Sequence, residues 1–219
     1  MQRIETSMSV YHSQGKIPHK RHVVYRQKTG ELYHEELFGT EGFSSTSSLV
    51  YHLRPPTRVR QIGKPWSIKP ELAIEDNLQA LSFSGFKATP KADYIESRRT
   101  LFLNADMSVS LAAPTESLRD YFFKNADADE MIFIHEGAGV LRTSYGNVRF
   151  EYGDYLVIPR GTVYQIEFDS GLNRHLIVES HGPIRTPGRY RNNMGQYLEH
   201  SPFCERDFKL PQNLETFDQ

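Results

Sequence analysis

The sequence predicts an all-β protein of the sandwich or jelly-roll type. Short apolar runs recur from about Ile68 onward, and none is long or periodic enough to form a helix. Glycine-containing turns separate these runs at spacings that suit two packed sheets. The 12 Tyr and 13 Phe residues are of the kind that fill the faces of sheets. These three observations favour one all-β domain with an amino-terminal extension.

The first third of the chain is polar and contains three β-prone runs, at residues 22–26, 31–36 and 49–53. Glycine, serine and proline separate them, and these residues favour turns. Pro55 and Pro56 end the third run because proline has no backbone donor. This region is therefore predicted to be an arm with short strands.

The remaining strands are predicted from apolar runs bounded by turn residues. They are residues 80–83, 100–103, 107–111, 131–135, 139–143, 148–152, 155–158, 163–168 and 175–179. The intervening turns are expected at Gly137, Gly146, Gly153, Gly161 and Gly171. One helical turn is predicted at residues 116–123, with Thr115 as its N-cap.

Composition excludes several classes of function. With 219 residues, 38% of them hydrophobic and 24% charged, the chain is not disordered by default. The 26 Lys and Arg residues balance 27 Asp and Glu residues, so bulk charge attracts neither nucleic acid nor an anionic membrane. No apolar run suits a signal peptide or a membrane span, and Cys204 can form no internal disulfide. We expect a soluble cytoplasmic protein.

A spaced pattern of turn residues carries the most specific signal for the fold. Glu130 is followed after six residues by Gly137, and Gly153 comes after fifteen more. Five residues then lead to Pro159 and, one residue on, to Gly161. The glycines permit turns and the apolar residues between them form buried strands. This spacing resembles the paired motifs of the cupin superfamily, which implies a cupin-type jelly roll (double-stranded β-helix).

The resemblance lacks the metal ligands of metal-binding cupins. Those proteins carry two histidines upstream of the glutamate, and the corresponding places here are Lys124 and Ala126, or Phe123 and Asn125 in the alternative register. The third histidine position falls on Tyr164. A divalent metal needs about three converging protein ligands, and a single glutamate cannot hold one. We therefore expect a degenerate cupin with no metal bound by this chain.

Histidines elsewhere give weaker candidates. His175, Glu179 and His181 share one face of a predicted strand and match the composition of a non-haem iron triad. Six residues of strand span about 20 Å, so the two histidines cannot bind one ion. Glu179 and His181 could together form half of a metal site. The alternative is that both are surface or hydrogen-bonded core residues. Three histidines of the arm are expected to be hydrogen-bonded loop residues: His12, His19 and His22.

Three other groups are predicted to be structural. The acidic cluster of Asp127, Asp129 and Glu130 has the composition of a weak cation site, but a solvated turn is favoured. Cys204 has a neighbouring arginine that would activate a thiol, yet no general base accompanies it. The serine-rich residues 44–48 lack the glycines of a phosphate loop and are read as a turn.

Longer runs give a narrower resemblance. They are YHSQGKIPHKRH at 11–22, GELYHEELFGTEGF at 30–43, SSLVYH at 47–52, GDYLVIPRGTVYQIEF at 153–168, VESHGPIRTPGRYRNNMGQYLEH at 178–200 and SPFCERDF at 201–208. Together these runs resemble bacterial homogentisate 1,2-dioxygenases, from Tyr11 to Asp218.

The resemblance implies a bicupin whose amino-terminal jelly roll is degenerate and whose carboxy-terminal one holds Fe(II) through two His and one Glu. Residues 1–64 would be the arm, 65–182 the degenerate cupin, and 183–219 an irregular segment beginning the linker to that second cupin. The iron ligands would lie beyond this sequence, so no catalytic, metal or substrate-binding residue is assigned here. Family members form trimers and hexamers, which implies a homo-oligomer.

The implied reaction cleaves the ring of homogentisate with O₂ to give maleylacetoacetate, a step of tyrosine and phenylalanine catabolism. This chain would then be the structural, iron-free part of such an enzyme, and we expect it to be inactive alone. Two alternatives stay open. One is a free-standing noncatalytic cupin that binds a small aromatic acid or a partner protein, and the other is a metal enzyme using Glu179 and His181.

Overall fold

The computed structural model describes residues 24–44, 47–73 and 79–215. Three short 3-10 turns, Gly85–Lys87, Gly188–Tyr190 and Glu205–Asp207, accompany the strands of these ranges. The strands are β1 His34–Gly39, β2 Ser47–His52, β3 Arg99–Leu103, β4 Met107–Ala112, β5 Phe123–Lys124, β6 Asp129–Glu136, β7 Gly139–Thr143, β8 Gly146–Phe150, β9 Tyr155–Ile158, β10 Val163–Phe168 and β11 Arg174–Ser180.

The strands form a two-sheet sandwich and a separate hairpin. One sheet has the order β5-β10-β7-β8 and the other the order β3-β4-β11-β6-β9. Strands β1 and β2 pair with each other, and every strand pair is antiparallel. The prediction of an all-β jelly roll is confirmed.

The core lies between the two sheets because apolar residues alternate along the strands. Ile132 and Ile134 on β6 lie on the same side of the sheet as Ile177 on β11, which pairs with Ile132, and all three are buried. Phe150 and Ile166 close the core from the other sheet. Burial of each such side chain stabilises the fold by about 1.5–3 kcal/mol.

The turn glycines of the sequence motif have the backbone geometry that they predict. Gly137 has a φ of +102°, and a Cβ there would lie 2.2 Å from Oδ1 of Asn173. Any larger residue would therefore clash in a conformation that already disfavours it. Gly153 has a φ of +90° and lies in the turn before β9.

Two predicted elements are wrong. Residues 80–83 form no strand, because Leu81 and Phe83 lie on the surface with Phe83 against the ring of Phe102. Residues 116–123 form no helical turn, since the Leu118 amide donates to the Ile166 carbonyl and holds this segment extended along β10. The amide of Thr115 likewise bonds the Ala92 carbonyl, and Thr115 caps no helix.

The arm hairpin and the chain's last described residues pack on the jelly roll. Phe38 of β1 lies 5.4 Å from the ring of Tyr145, and Arg160 donates to the Thr40 carbonyl at 2.9 Å. At the edge of β8, the Asn147 amide donates to the Asn213 carbonyl at 2.9 Å. Strand β1 begins three residues later than predicted, and residues 22–23 of the first predicted run lie outside the described ranges.

None of the helical turns in the described ranges is long and apolar enough to cross a membrane.

Candidate functional site

A buried polar cluster lies at one end of the sandwich, where the motif positions converge. Glu130 on β6 is directly opposite Glu179 on β11, and both point between the sheets. Two carboxylates at directly paired positions on neighbouring strands repel each other unless a cation lies between them. The guanidinium of Arg98, from the segment before β3, supplies that cation.

Arg98 makes contacts on several sides of its guanidinium group. It forms an ion pair with Glu130, and its Nη1 donates to Oε1 of Glu179 at 3.3 Å. Its Cζ lies 4.3 Å from the ring centroid of Tyr94 and 5.6 Å from that of Phe123. Aromatic faces attract a cation, so both rings stabilise its charge.

Tyr164 completes the surroundings of the buried carboxylate. Its hydroxyl donates to Oε2 of Glu130 at 2.6 Å, and both residues are fully buried. Burial raises the pKa of Tyr164 well above its usual range, and the nearby Tyr94 and Glu130 raise it further. The phenol therefore stays protonated and acts as a donor.

The second carboxylate is also fully engaged. Oε1 of Glu179 accepts from Nδ2 of Asn125 at 2.8 Å, and Oε2 accepts from the Ser108 hydroxyl at 3.1 Å. With Arg98, three donors fix this side chain. Charge-assisted hydrogen bonds of this kind are about twice as strong as neutral ones.

Arg98 remains a cation despite its burial. Burial lowers the pKa of Arg98, but the acidic groups around it, Tyr94, Glu130, Tyr164 and Glu179, raise it more, and the net pKa lies above its usual value. The site thus contains a permanent positive charge supplied by the chain itself.

These residues do not fit a ferrous ion. Of the two registers, Phe123 and Asn125 are the upstream motif positions that reach the cluster, and neither provides an imidazole. Glu130 already bonds Arg98 and Tyr164, and the Arg98 charge would repel a divalent metal. Among the described residues, no three His, Cys, Asp or Glu side chains form a metal-binding group.

A cavity of about 650 Å³ opens onto the cluster from the end of the sandwich. Its lining combines aromatic, charged and hydroxyl side chains: Trp66, Arg98, Ser108, Phe123, Lys124 and Glu179. A mixed lining of this size is typical of sites for small organic molecules.

The histidine candidates are separated in the structure. Nδ1 of His181 lies 3.2 Å from the Asp127 carbonyl oxygen, and Glu179 is held by its own three donors. His175 is buried at the other end of β11, between the rings of Tyr94 and Phe168. Burial, followed by the Arg98 charge, lowers the pKa of His175 to about 4.

The acidic cluster is not a solvated turn, and that prediction is wrong for two of its three members. Asp129 is buried because its oxygens accept from the amides of Arg160 and Ile184, each at 2.9 Å. Glu130 is buried in the ion-pair cluster, while Asp127 remains exposed.

The remaining residues that were predicted to be structural lie in turns or outside the described ranges. Cys204 is half-buried, and its amide donates to Oδ2 of Asp207 in a 3-10 turn. The Ser44 hydroxyl donates to the Glu41 carbonyl in a turn, whereas residues 45–46 lie outside the described ranges. The arm histidines also lie outside these ranges: His12, His19 and His22.

Sequence reasoning did not identify Arg98. It belongs to none of the motifs, and its partners lie 32 and 81 residues further along the chain. The available signal was Glu130 immediately before the apolar residues 131–134, because a carboxylate that is buried with such a run requires a partner.

Comparison with known proteins gives a consistent family. The profile described as homogentisate 1,2-dioxygenase N-terminal matches residues 5–194. A Saccharolobus solfataricus protein named "Putative dioxygenase SSO1533" is 38% identical over 97% of this chain and 54% of its own length. A homogentisate 1,2-dioxygenase of Nitrobacter hamburgensis is 31% identical over 69% of this chain and 37% of its own.

The chain spans about half the length, or less, of these curated relatives. Among solved structures, a cupin domain of Schizosaccharomyces pombe Cnp3 is 13% identical over 38% of this chain and 62% of that chain, with a TM-score of 0.35. A Shewanella frigidimarina protein containing a cupin-2 domain is 20% identical over 38% of this chain and 78% of that chain, with a TM-score of 0.33.

Proposed function

The chain belongs to the homogentisate 1,2-dioxygenase N-terminal family, and from this membership we propose that it is the structural part of a ring-cleaving dioxygenase. The proposed substrate is homogentisate, which O₂ would convert to maleylacetoacetate in tyrosine and phenylalanine catabolism. The Fe(II) that the reaction requires would be held by residues outside this chain. We further propose a cytoplasmic location, in keeping with a single cysteine.

The observation that carries this proposal is the guanidinium of Arg98 between Glu130 and Glu179. In this arrangement the chain's own cation balances the motif glutamate, Glu130, and the neighbouring Glu179. A domain of this kind contributes packing surface and a fixed scaffold, whereas redox chemistry needs a separate site.

Iron binding tests the structural role. The purified chain is incubated with Fe(II) without oxygen and dialysed, and its iron content is measured by mass spectrometry. We expect far less than one iron per chain and no oxygen uptake on adding homogentisate. One tightly bound iron per chain, lost in the His181→Ala variant, would instead support an enzyme that uses Glu179 and His181.

A chimaera tests the family reaction. This chain replaces the matching part of the Nitrobacter hamburgensis homogentisate 1,2-dioxygenase, and the chimaera is loaded with Fe(II) and assayed for oxygen uptake with homogentisate. We expect turnover by both the chimaera and the unaltered relative. A folded, iron-loaded chimaera that does not turn over homogentisate would contradict the proposed function.

A second candidate function is a noncatalytic cupin that binds a small aromatic acid. The 650 Å³ cavity favours it, because Trp66 and Phe123 offer aromatic faces and Lys124 offers a cation. Calorimetry with homogentisate and with phenylacetate would detect such binding in the iron-free chain. Saturable binding that is lost in Trp66→Ala would support this function, and the absence of heat at millimolar ligand would exclude it.

A further inference from the structure

Two segments that line the cavity of about 650 Å³ differ in how they are held. One is β5, which is fixed by antiparallel pairing with β10 and contributes Phe123 and Lys124 to the lining. The other is residues 66–70, which we call the strap. It contributes four side chains to the lining: Trp66, Ile68, Lys69 and Pro70.

The strap is only weakly attached to the rest of the molecule. Within the described ranges, no hydrogen bond joins it to the jelly roll, and its one such bond is internal, from the Lys69 amide to the Ser67 hydroxyl at 3.3 Å. Little apolar burial holds it either, since Trp66 is 62% exposed and Ile68 78%. Segments with few buried contacts and unpaired backbone open at a low cost in free energy. The strap is therefore the part of the lining that can move.

The lining of the cavity has an excess of positive charge. Arg98 and Glu179 pair with each other and so balance their own charges. Lys69 and Lys124 are exposed, and neither forms an ion pair with a described residue. The carboxylate of Asp127 is the other acidic group in the lining. Two unpaired ammonium groups against one carboxylate favour an anionic ligand.

Each of the two segments combines an ammonium group with an aromatic ring. The strap has Trp66 three residues before Lys69, and β5 has Phe123 next to Lys124. Aromatic faces bind planar rings, and ammonium groups form charge-assisted hydrogen bonds with carboxylates. This combination matches a ligand with a planar ring and a carboxylate, which is an aromatic acid.

We propose that Lys69 and Lys124 bind the carboxylate of an aromatic acid, and that the strap closes on the ring of this ligand through Trp66. The inference rests on the second candidate function, ligand binding in this cavity, and adds two binding residues and a movement to it. A ligand favours the state in which it makes more contacts, and contacts with the strap are complete only when the strap is closed. Closure also excludes water, which strengthens the attraction between the ammonium groups and the carboxylate.

Tryptophan emission reports on the strap without a label, because Trp66 is the only tryptophan of the chain. Phenylacetate is titrated into the chain and followed in parallel by calorimetry and by acrylamide quenching of Trp66. We expect quenching to fall about twofold at saturation, since closure excludes water from the ring, with the same dissociation constant in both measurements. Phenylacetamide has the same ring and no charge, and it should bind about tenfold more weakly.

Two lysine variants test the carboxylate contacts. Lys69→Met and Lys124→Met each remove one ammonium group and keep an unbranched side chain. Each should weaken phenylacetate binding about tenfold and leave phenylacetamide binding within about twofold of wild type. Lys64→Met is the matched control, because Lys64 is exposed and lies two residues before the strap but outside the cavity lining. Circular dichroism confirms that all three variants are folded.

The closure, the lysine contacts and the underlying binding function fail in different ways. Heat of binding with unchanged quenching of Trp66 would overturn closure of the strap and leave ligand binding in place. A Lys69→Met or Lys124→Met chain that binds phenylacetate as well as the Lys64→Met chain does would overturn the lysine assignment. No heat at millimolar phenylacetate would exclude the second candidate function and this inference together.

Discussion

The two ends of the sandwich interior handle buried ionisable groups in different ways. Glu179 and His175 lie on the same inward side of β11, four residues apart. At the Glu179 end, Arg98, Ser108 and Asn125 surround a charged group with donors. At the His175 end, aromatic rings surround an imidazole whose two nitrogens have no hydrogen-bond partner among the described residues.

This difference shows that a single strand can contain both kinds of buried ionisable group that proteins tolerate, one kept charged and one kept neutral. A charge is kept where partners compensate its loss of hydration. Where such partners are absent, the buried group stays in its neutral form. The polar end should therefore be sensitive to loss of a partner, and the apolar end to acid.

Removal of the central cation should have the largest effect. Arg98→Met leaves the buried Glu130 beside the half-buried Glu179 without a counter-charge, so we expect a loss of about 3–5 kcal/mol in the free energy of unfolding. Urea denaturation measures it. The neighbouring Arg99 is exposed, and Arg99→Met should cost less than about 0.5 kcal/mol. Equal effects of the two substitutions would show that the cluster is not a stabilising unit.

Acid should destabilise the other end. The pKa of His175 falls from 6.5 to about 4 on folding, so between these values the unfolded chain binds a proton that the folded chain does not. The stability due to neutral His175 is complete above pH 6.5 and is lost as the pH falls towards 4. The loss amounts to about 3 kcal/mol at most.

His175→Leu should remove this part of the pH dependence, because leucine has a similar volume and no proton to bind. The difference in unfolding free energy between wild type and variant, measured by urea denaturation from pH 7 to pH 4, isolates the contribution of His175. The exposed His181 serves as control, and His181→Leu should retain the wild-type slope. A wild-type slope in His175→Leu would contradict the assignment.

Loss of one donor at the polar end should have a smaller effect. Tyr164→Phe removes the 2.6 Å hydrogen bond to Glu130 and leaves the ring in place. Hydrogen bonds to charged groups contribute about 1.5–3 kcal/mol, so thermal and urea unfolding should show a loss near 2 kcal/mol. Tyr155→Phe removes an exposed hydroxyl and should change stability by less than about 0.5 kcal/mol. The interpretation fails if Tyr164→Phe is as mild.

An ion pair outside both ends should have the smallest effect. Arg149 and Asp169 are each about half exposed, and water screens their attraction. Arg149→Met should therefore leave the midpoint of urea unfolding nearly unchanged at both low and high salt. A midpoint lowered as far as in Tyr164→Phe would show that stabilising charge is not confined to the interior.

Sequence patterns predicted the strands best where pairing is local. Strands β7, β9 and β10 have the predicted bounds, because short turns fix their register and alternation identifies the buried side. The segment at 80–83 has strand-like residues but no pairing partner in the described ranges, and residues 116–123 follow β10 rather than their own propensity.

The role of Arg98 at the centre of the candidate site could not be predicted from local sequence patterns, and the reason is physical. Glu130 was recognised from spacing, and the loss of imidazoles was evident from the letters alone. Arg98 compensates the buried carboxylates across 32 and 81 residues of chain, and no spacing rule relates positions so far apart. Three-dimensional contact was needed to show how the vacant nitrogen positions are compensated.

The close approach of Gly137 to Asn173 bears on how such signatures should be used. Steric demand at one bend keeps the glycine, and the requirement is the same whether the interior holds a metal or a guanidinium. The spacing of turn glycines in a sequence can thus indicate the course of the backbone without indicating which chemistry the domain performs. Genome surveys that infer metalloenzymes from spacing should also weigh the donor atoms and any buried arginine that could replace the ion.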